Sequence, residues 1–168
     1  MMAETLPAVV FSTSFLNDGS SFYAWVFPNY RANGERVVDE IVDVFTTSPG
    51  YQTHEMRIRM LAEESVANAI KHAYSESSPR NTVLVTAHIQ EGIARLVVAD
   101  DGPGFDPDLI PDPRDEENLD KPSGRGLLLM SNFLRALNGD MQYFNRFTNE
   151  SYSGPNILRM TMATCADN

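Results

Sequence analysis

Cysteine is nearly missing from the 168-residue sequence: Cys165 stands alone, so no internal disulfide can form. That usage suits a reducing compartment, and the cytoplasm is the expected address. Long apolar runs are missing too. No stretch approaches the ~20 consecutive apolar residues that span a bilayer, and Met1 to Ala8 has no Lys or Arg ahead of its short apolar run, as a secretory leader would. Positive charge is scarce, with 13 Lys and Arg against 23 Asp and Glu and a formal net charge of −10. Such a field repels nucleic acid, which is not an expected direct partner. Any phosphate-bearing ligand would need a metal ion or local Lys and Arg to offset it. His54, His72 and His88 are scattered, without partners at zinc-ligand spacing. The acids from Asp106 to Asp120 do not fit a calcium loop, and no G-x-x-x-x-G-K-[ST] phosphate loop occurs.

What is present is the composition of one ordinary globular domain covering residues 1–168, 42% hydrophobic and 21% charged. Residues 9–15 and 22–27 read as strands joined across Asn17-Asp18-Gly19-Ser20. Apolar residues at helical spacing predict one helix from about Ala32 to Phe45 and a longer one from about Thr53 to Tyr74. Residues 82–89 and 93–99, rich in β-branched residues and separated by a tight turn, predict a second hairpin. Residues 101–123 contain five prolines among many acids and show no periodicity, as a lid over a site would. A helix follows from Gly126 to about Leu137, then strands at 141–147 and 157–162. Hairpins imply antiparallel pairing. The expected class is α+β: a two-layer sandwich, with helices on one face of a mixed, mostly antiparallel sheet.

Three local features carry chemistry. In Glu64-Ser65-Val66-Ala67-Asn68, the carboxylate and the amide are four residues apart, ~40° around a helix, and share a face that Lys71 and His72 extend. Spacing alone reads more simply as a solvated helix face. The apolar neighbours Val66, Ala67, Ala69 and Ile70 favour a proton acceptor beside a hard-metal ligand. Second, Asp100-Asp101-Gly102-Pro103-Gly104 follows a strong strand, and its glycines admit a ligand close to the backbone. The carboxylate could accept a hydrogen bond from an exocyclic amine, although the same residues also build plain strand-ending turns. Third, Ser123-Gly124-Arg125-Gly126 opens an apolar helix. A helix start offers free N–H groups to an anion, and Arg125 and Lys121 add positive charge.

Together and in this order, the three features resemble the Bergerat-fold (GHKL) ATPases. Within that superfamily, residues 64–74 (ESVANAIKHAY) look like the N box of anti-sigma-factor serine/threonine kinases of the RsbW type. Residues 100–106 look like their adenine box, and residues 118–130 (NLDKPSGRGLLLM) like their lid end and second glycine box. The resemblance implies that Asp100 binds the adenine amine, with Gly102 and Gly104 letting the base approach. It implies Asn68 as the Mg²⁺ ligand, Glu64 as the catalytic base, and a lid at about 105–123. Gly124, Arg125 and Gly126 would hold the phosphates, and Lys71, His72, Lys121, Ser123 and Leu127 complete the candidate ATP-binding set. By the same resemblance the partners are a sigma factor and a STAS-domain anti-anti-sigma protein, which would be phosphorylated on Ser or Thr, and the kinase is a homodimer. The alternative is an ATP-gated protein-binding module without phosphotransfer. One departure from the family stands out. The segment Arg146 to Gly154 is long, and Gly154-Pro155-Asn156 occupies the place of a Gly-x-Thr phosphate contact.

Overall fold

The computed structural model describes residues 9–15, 19–76, 78, 80–90, 92–110 and 125–164. Asn17 and Asp18 of the expected first turn, Cys165 and all of 111–124 lie outside them. The chain runs β1 (Val9–Phe15), β2 (Ser21–Pro28), α1 (Arg31–Thr46), α2 (Glu55–Lys71), β3 (Thr82–Gln90), β4 (Ile93–Asp100), α3 (Gly126–Ala136), β5 (Asp140–Phe144) and β6 (Asn156–Ala163). A short 3₁₀ turn at Pro107–Leu109 stands where the lid was expected to begin.

The strands form one six-stranded sheet in the order β1-β2-β3-β4-β6-β5. The expectation was a mixed, mostly antiparallel sheet, and every described pairing is antiparallel. The hairpins β1–β2, β3–β4 and β5–β6 explain this, since a tight connection can only return the chain antiparallel. Alternation along the strands sends Val83, Val85 and Ala87 of β3, Leu96 and Val98 of β4, and Leu158, Met160 and Met162 of β6 to one buried face. Val37, Ile41 and Phe45 of α1, Leu61 and Val66 of α2, and Met130 and Leu134 of α3 close the same core from above. Leu84, Ile93 and Phe144 remain exposed. The result is the two-layer α+β sandwich.

Element ends differ from the expectation where side chains intervene. The second helix stops at Lys71 instead of Tyr74. Tyr74 leaves it to donate its hydroxyl to the Thr82 carbonyl at 2.7 Å and to accept the Asp101 N–H at 3.0 Å. Strand β5 stops at Phe144 instead of continuing to Phe147, because Asn145 Oδ1 takes the N–H groups of Phe147 and Thr148 at 2.9 and 3.0 Å. A side chain that bonds its own following backbone competes with the strand ladder.

Candidate functional site

The α2 helix turns Ile58, Leu61, Ala62, Ser65, Val66 and Ala69 into the core. The Ser65 hydroxyl is spent inside the helix, donating to the Leu61 carbonyl at 2.7 Å. Glu64 and Asn68 sit half-buried at the margin of that face. Both come up against the start of α3: a Cβ built on Gly126 would stand 2.5 Å from Glu64 Oε2 and 3.8 Å from Asn68 Nδ2. Glycine at the first position of α3 therefore lets the carboxylate approach the helix terminus, where backbone N–H groups lack helical partners.

A cavity opens between α2, the end of β4, the start of α3 and the β5–β6 hairpin. Asn68, His72, Asp100, Gly104, Phe105, Leu127, Tyr143, Asn156 and Leu158 are among its walls. Its floor is apolar, from Ala69, Ala73, Val98 and Leu158. A cavity with a mostly apolar wall and a few convergent polar groups is the usual form of a small-ligand site.

Asp100 ends β4 at this floor, half-buried. Burial pushes its carboxyl above the ordinary range; hydrogen bonds from Asn156 and the Gly102 N–H pull it back, and the Asp101 charge pushes it up again. The turn after Asp100 needs its glycines. A Cβ on Gly102 would overlap the Ala73 carbonyl, and Gly104 has φ +72°, a conformation that costs other residues free energy. Beyond it, Phe105 stacks on Tyr143 with ring centroids 4.6 Å apart, and buried Asn145 donates to the Phe105 carbonyl at 2.7 Å. Burial, assisted by the Asp100 charge, pushes the Tyr143 phenol up to about 12, so it stays a neutral donor at the cavity wall.

Of the residues singled out in the sequence, the structure brings Asn68, His72, Asp100, Gly104 and Leu127 to one cavity. Gly102 stands behind it, against Ala73. Lys71 is exposed at the end of α2 and is not among the cavity walls. Arg125 is the exposed N-cap of α3. Lys121, Ser123 and Gly124 lie outside the described residues. Sequence reasoning missed Phe105, Tyr143 and Leu158, and marked Asn156 only as a departure at a phosphate contact. The signal for two of them was present, since alternation along β6 puts Asn156 and Leu158 on the same face.

The donor set fits a purine nucleotide at the Asp100 end, where an apolar slot meets a carboxylate acceptor. The start of α3, beside Asn68 and Leu127 of the cavity wall, offers helix N–H groups that fit its phosphates. Among the described residues no group of three or more His, Cys, Asp or Glu could hold a metal ion by itself. A metal here would be held by Asn68 together with the ligand's own oxygens. No helix among the described residues is long and apolar enough to cross a membrane.

A family model described as the histidine kinase-like ATPase domain matches residues 31–161. The anti-sigma F factor of Geobacillus stearothermophilus is 32% identical over 109 residues, covering 62% of this chain and 73% of that protein. The serine/threonine-protein kinase BtrW of Bordetella bronchiseptica is 30% identical over 101 residues, covering 58% of this chain and 70% of that one. Among solved structures, the mycobacterial sensor histidine kinase MprB superposes with a TM-score of 0.51 at 16% identity, over 77% of this chain and 93% of that chain, a likeness of fold.

Proposed function

Because the chain belongs to the histidine kinase-like ATPase domain family, we propose that it is an anti-sigma-factor-type protein serine/threonine kinase using Mg·ATP. It would hold a sigma factor and phosphorylate a STAS-domain anti-anti-sigma protein. The observation that carries this reading is that Asn68 shares one cavity with Asp100 and also comes up, with Glu64, against Gly126; Glu64 and Gly126 stand beside that cavity and are not among its walls. The similarity to proteins named anti-sigma F factor and serine/threonine-protein kinase supports a sigma factor as partner and Ser or Thr as acceptor.

Each residue then has a task. Asp100 accepts a hydrogen bond from the adenine amine, and the slot floored by Ala69, Val98 and Leu158 takes the ring. Gly126 and Leu127, opening α3, present N–H groups to the phosphates. Asn68 would hold Mg²⁺, which when bound neutralises phosphate charge that an acidic chain would otherwise repel. Glu64 accepts the proton of a Ser or Thr hydroxyl as that oxygen bonds to the terminal phosphorus and the bridge to ADP breaks. Transfer of this kind asks for positioning and charge neutralisation more than for covalent chemistry, so a small set of groups suffices. By the same resemblance the protein would be a cytoplasmic homodimer, with a lid at about 105–123.

The test is transfer of labelled terminal phosphate from ATP to candidate STAS proteins. Label should appear on a Ser or Thr and vanish in Glu64→Gln. Partner binding that depends on ATP, with no label transferred, would establish the ATP-gated binding module instead.

A further inference from the structure

Asp100 and Asn156 stand opposite each other in direct register across β4 and β6. Cross-strand pairs of this kind are close enough for side chains to bond. Both are drawn toward the buried face, and Asn156 is only 6% exposed. Its Nδ2 carries two hydrogens, and both are used: one goes to Asp100 Oδ1 at 2.8 Å, the other to the Gly102 carbonyl at 2.9 Å. Asp100 Oδ1 also accepts the Gly102 N–H at 2.9 Å. One carboxylate oxygen is thus doubly bonded, and no hydrogen bond to Oδ2 occurs among the described residues.

The second bond fixes which way the amide points. Turned over, Asn156 would set its own oxygen against the Gly102 carbonyl oxygen, and two acceptors cannot bond. Asn156 therefore presents donors, and the carboxylate facing it is held as an acceptor. We propose, building on the ATP reading, that Asn156 is a positioning residue that selects the nucleobase by holding the Asp100 carboxylate so that Oδ2 accepts an exocyclic amine and repels an exocyclic oxygen. An amide is needed for this: a hydroxyl at the same place has one hydrogen and could not hold both Asp100 Oδ1 and the Gly102 carbonyl.

The surroundings make the bond matter. The groups facing the Asp100 carboxyl are Asp101 beside it, Tyr143 on β5, Tyr74 after α2, and His72 across the cavity. Burial and the Asp101 charge both favour the protonated acid. The Asn156 amide and the Gly102 N–H oppose them.

The test separates a role exerted through Asp100 from a merely structural one. Wild type, Asn156→Leu and Asn156→Thr are titrated calorimetrically with Mg²⁺ and one of three nucleotides: ATP, GTP, or purine riboside triphosphate, which lacks the exocyclic amine. Asn156→Leu should lose about tenfold or more in ATP affinity, and less than about twofold for purine riboside triphosphate. The acid limb of its ATP binding should also move to higher pH. Asn156→Thr keeps a donor without the second anchor, so it should still bind ATP while discriminating less against GTP. Equal losses for ATP and for the amine-free analogue would show Asn156 to be a general structural pin and overturn the proposal. So would unchanged discrimination in Asn156→Thr, a readout that stands even if Asn156→Leu does not fold. A wild type that binds no ATP would sink the ATP reading itself, a result distinct from either.

Discussion

At the scale of single residues, Asp100 is the group whose chemistry is most exposed to test. Replacing it with Asn keeps size and removes the charged acceptor, and should weaken Mg·ATP binding by about 2–3 kcal/mol, the worth of a hydrogen bond to a charged group. Asn68→Ala should weaken Mg·ATP binding as well, whereas Glu64→Gln should leave affinity near wild type and abolish transfer. Calorimetry and label transfer read the two effects separately; a Glu64→Gln protein that transfers at the parent rate would remove Glu64 from the role of base. The Asp100 pKa adds a pH dependence with a definite sign. Burial raises the carboxyl from its ordinary 3.8, so the folded chain holds this proton more firmly than the unfolded chain does. Its contribution to stability is full below the unfolded pKa and is lost as pH rises through the higher folded one. The amine of a bound adenine needs the ionised acceptor, so affinity runs the other way. Over that interval the stability of unliganded wild type relative to Asp100→Asn should fall with rising pH while ATP affinity rises. Paired melts and titrations check both slopes.

At the scale of elements, the legible parts of this protein were the local ones. Asp100, Gly102 and Gly104 fall within five residues, and Glu64 and Asn68 within one helical turn, so chain spacing alone brings each group together. Asn156 and Tyr143 were not legible as site residues, because they reach Asp100 only through the register of β6 on β4 and of β5 on β6. That pairing is decided by the whole sheet. The end of β5 escaped for a related reason: Met141 to Phe147 has strand composition, and the Asn145 side chain overrides it. Tyr51 offers a test of how the elements are tied together. It is fully buried in the connection between α1 and α2, edge-on to Phe45, and its hydroxyl lies 2.9 Å from the Gly92 carbonyl and 3.1 Å from that of Met162. Burial pushes this phenol up to about 12, so it remains a neutral donor. Tyr51→Phe removes this donor from both carbonyls while Gly92 keeps the Thr164 N–H at 2.8 Å, and should cost about 1 kcal/mol in urea denaturation. The proposed ATP cavity is lined by other residues, so nucleotide affinity should not change with it.

At the scale of the whole molecule, the governing quantity is the net charge of −10. A triphosphate approaching this chain meets a repulsive field, and among the described residues the cavity walls hold Asp100 with no lysine or arginine. Arg125 stands at the start of α3, at the phosphate end. Among the described residues, helix N–H groups and the Arg125 guanidinium supply only a partial offset to the four negative charges on free ATP. The proposed Mg²⁺ at Asn68 then does more than orient the phosphates: it lets an acidic protein bind an acidic ligand at all. Chelating the metal should therefore weaken ATP binding by about tenfold or more, equivalent to about 1.4 kcal/mol. Adding monovalent salt to the metal-free mixture should recover part of the loss, because salt screens the long-range repulsion. With magnesium present, the same salt should have little effect or weaken binding slightly. Titrations at low and high salt, with and without chelator, give the four affinities. Metal-free binding equal to Mg·ATP binding at low salt would show that the chain's own N–H groups and Arg125 suffice, and would remove the metal from the binding step.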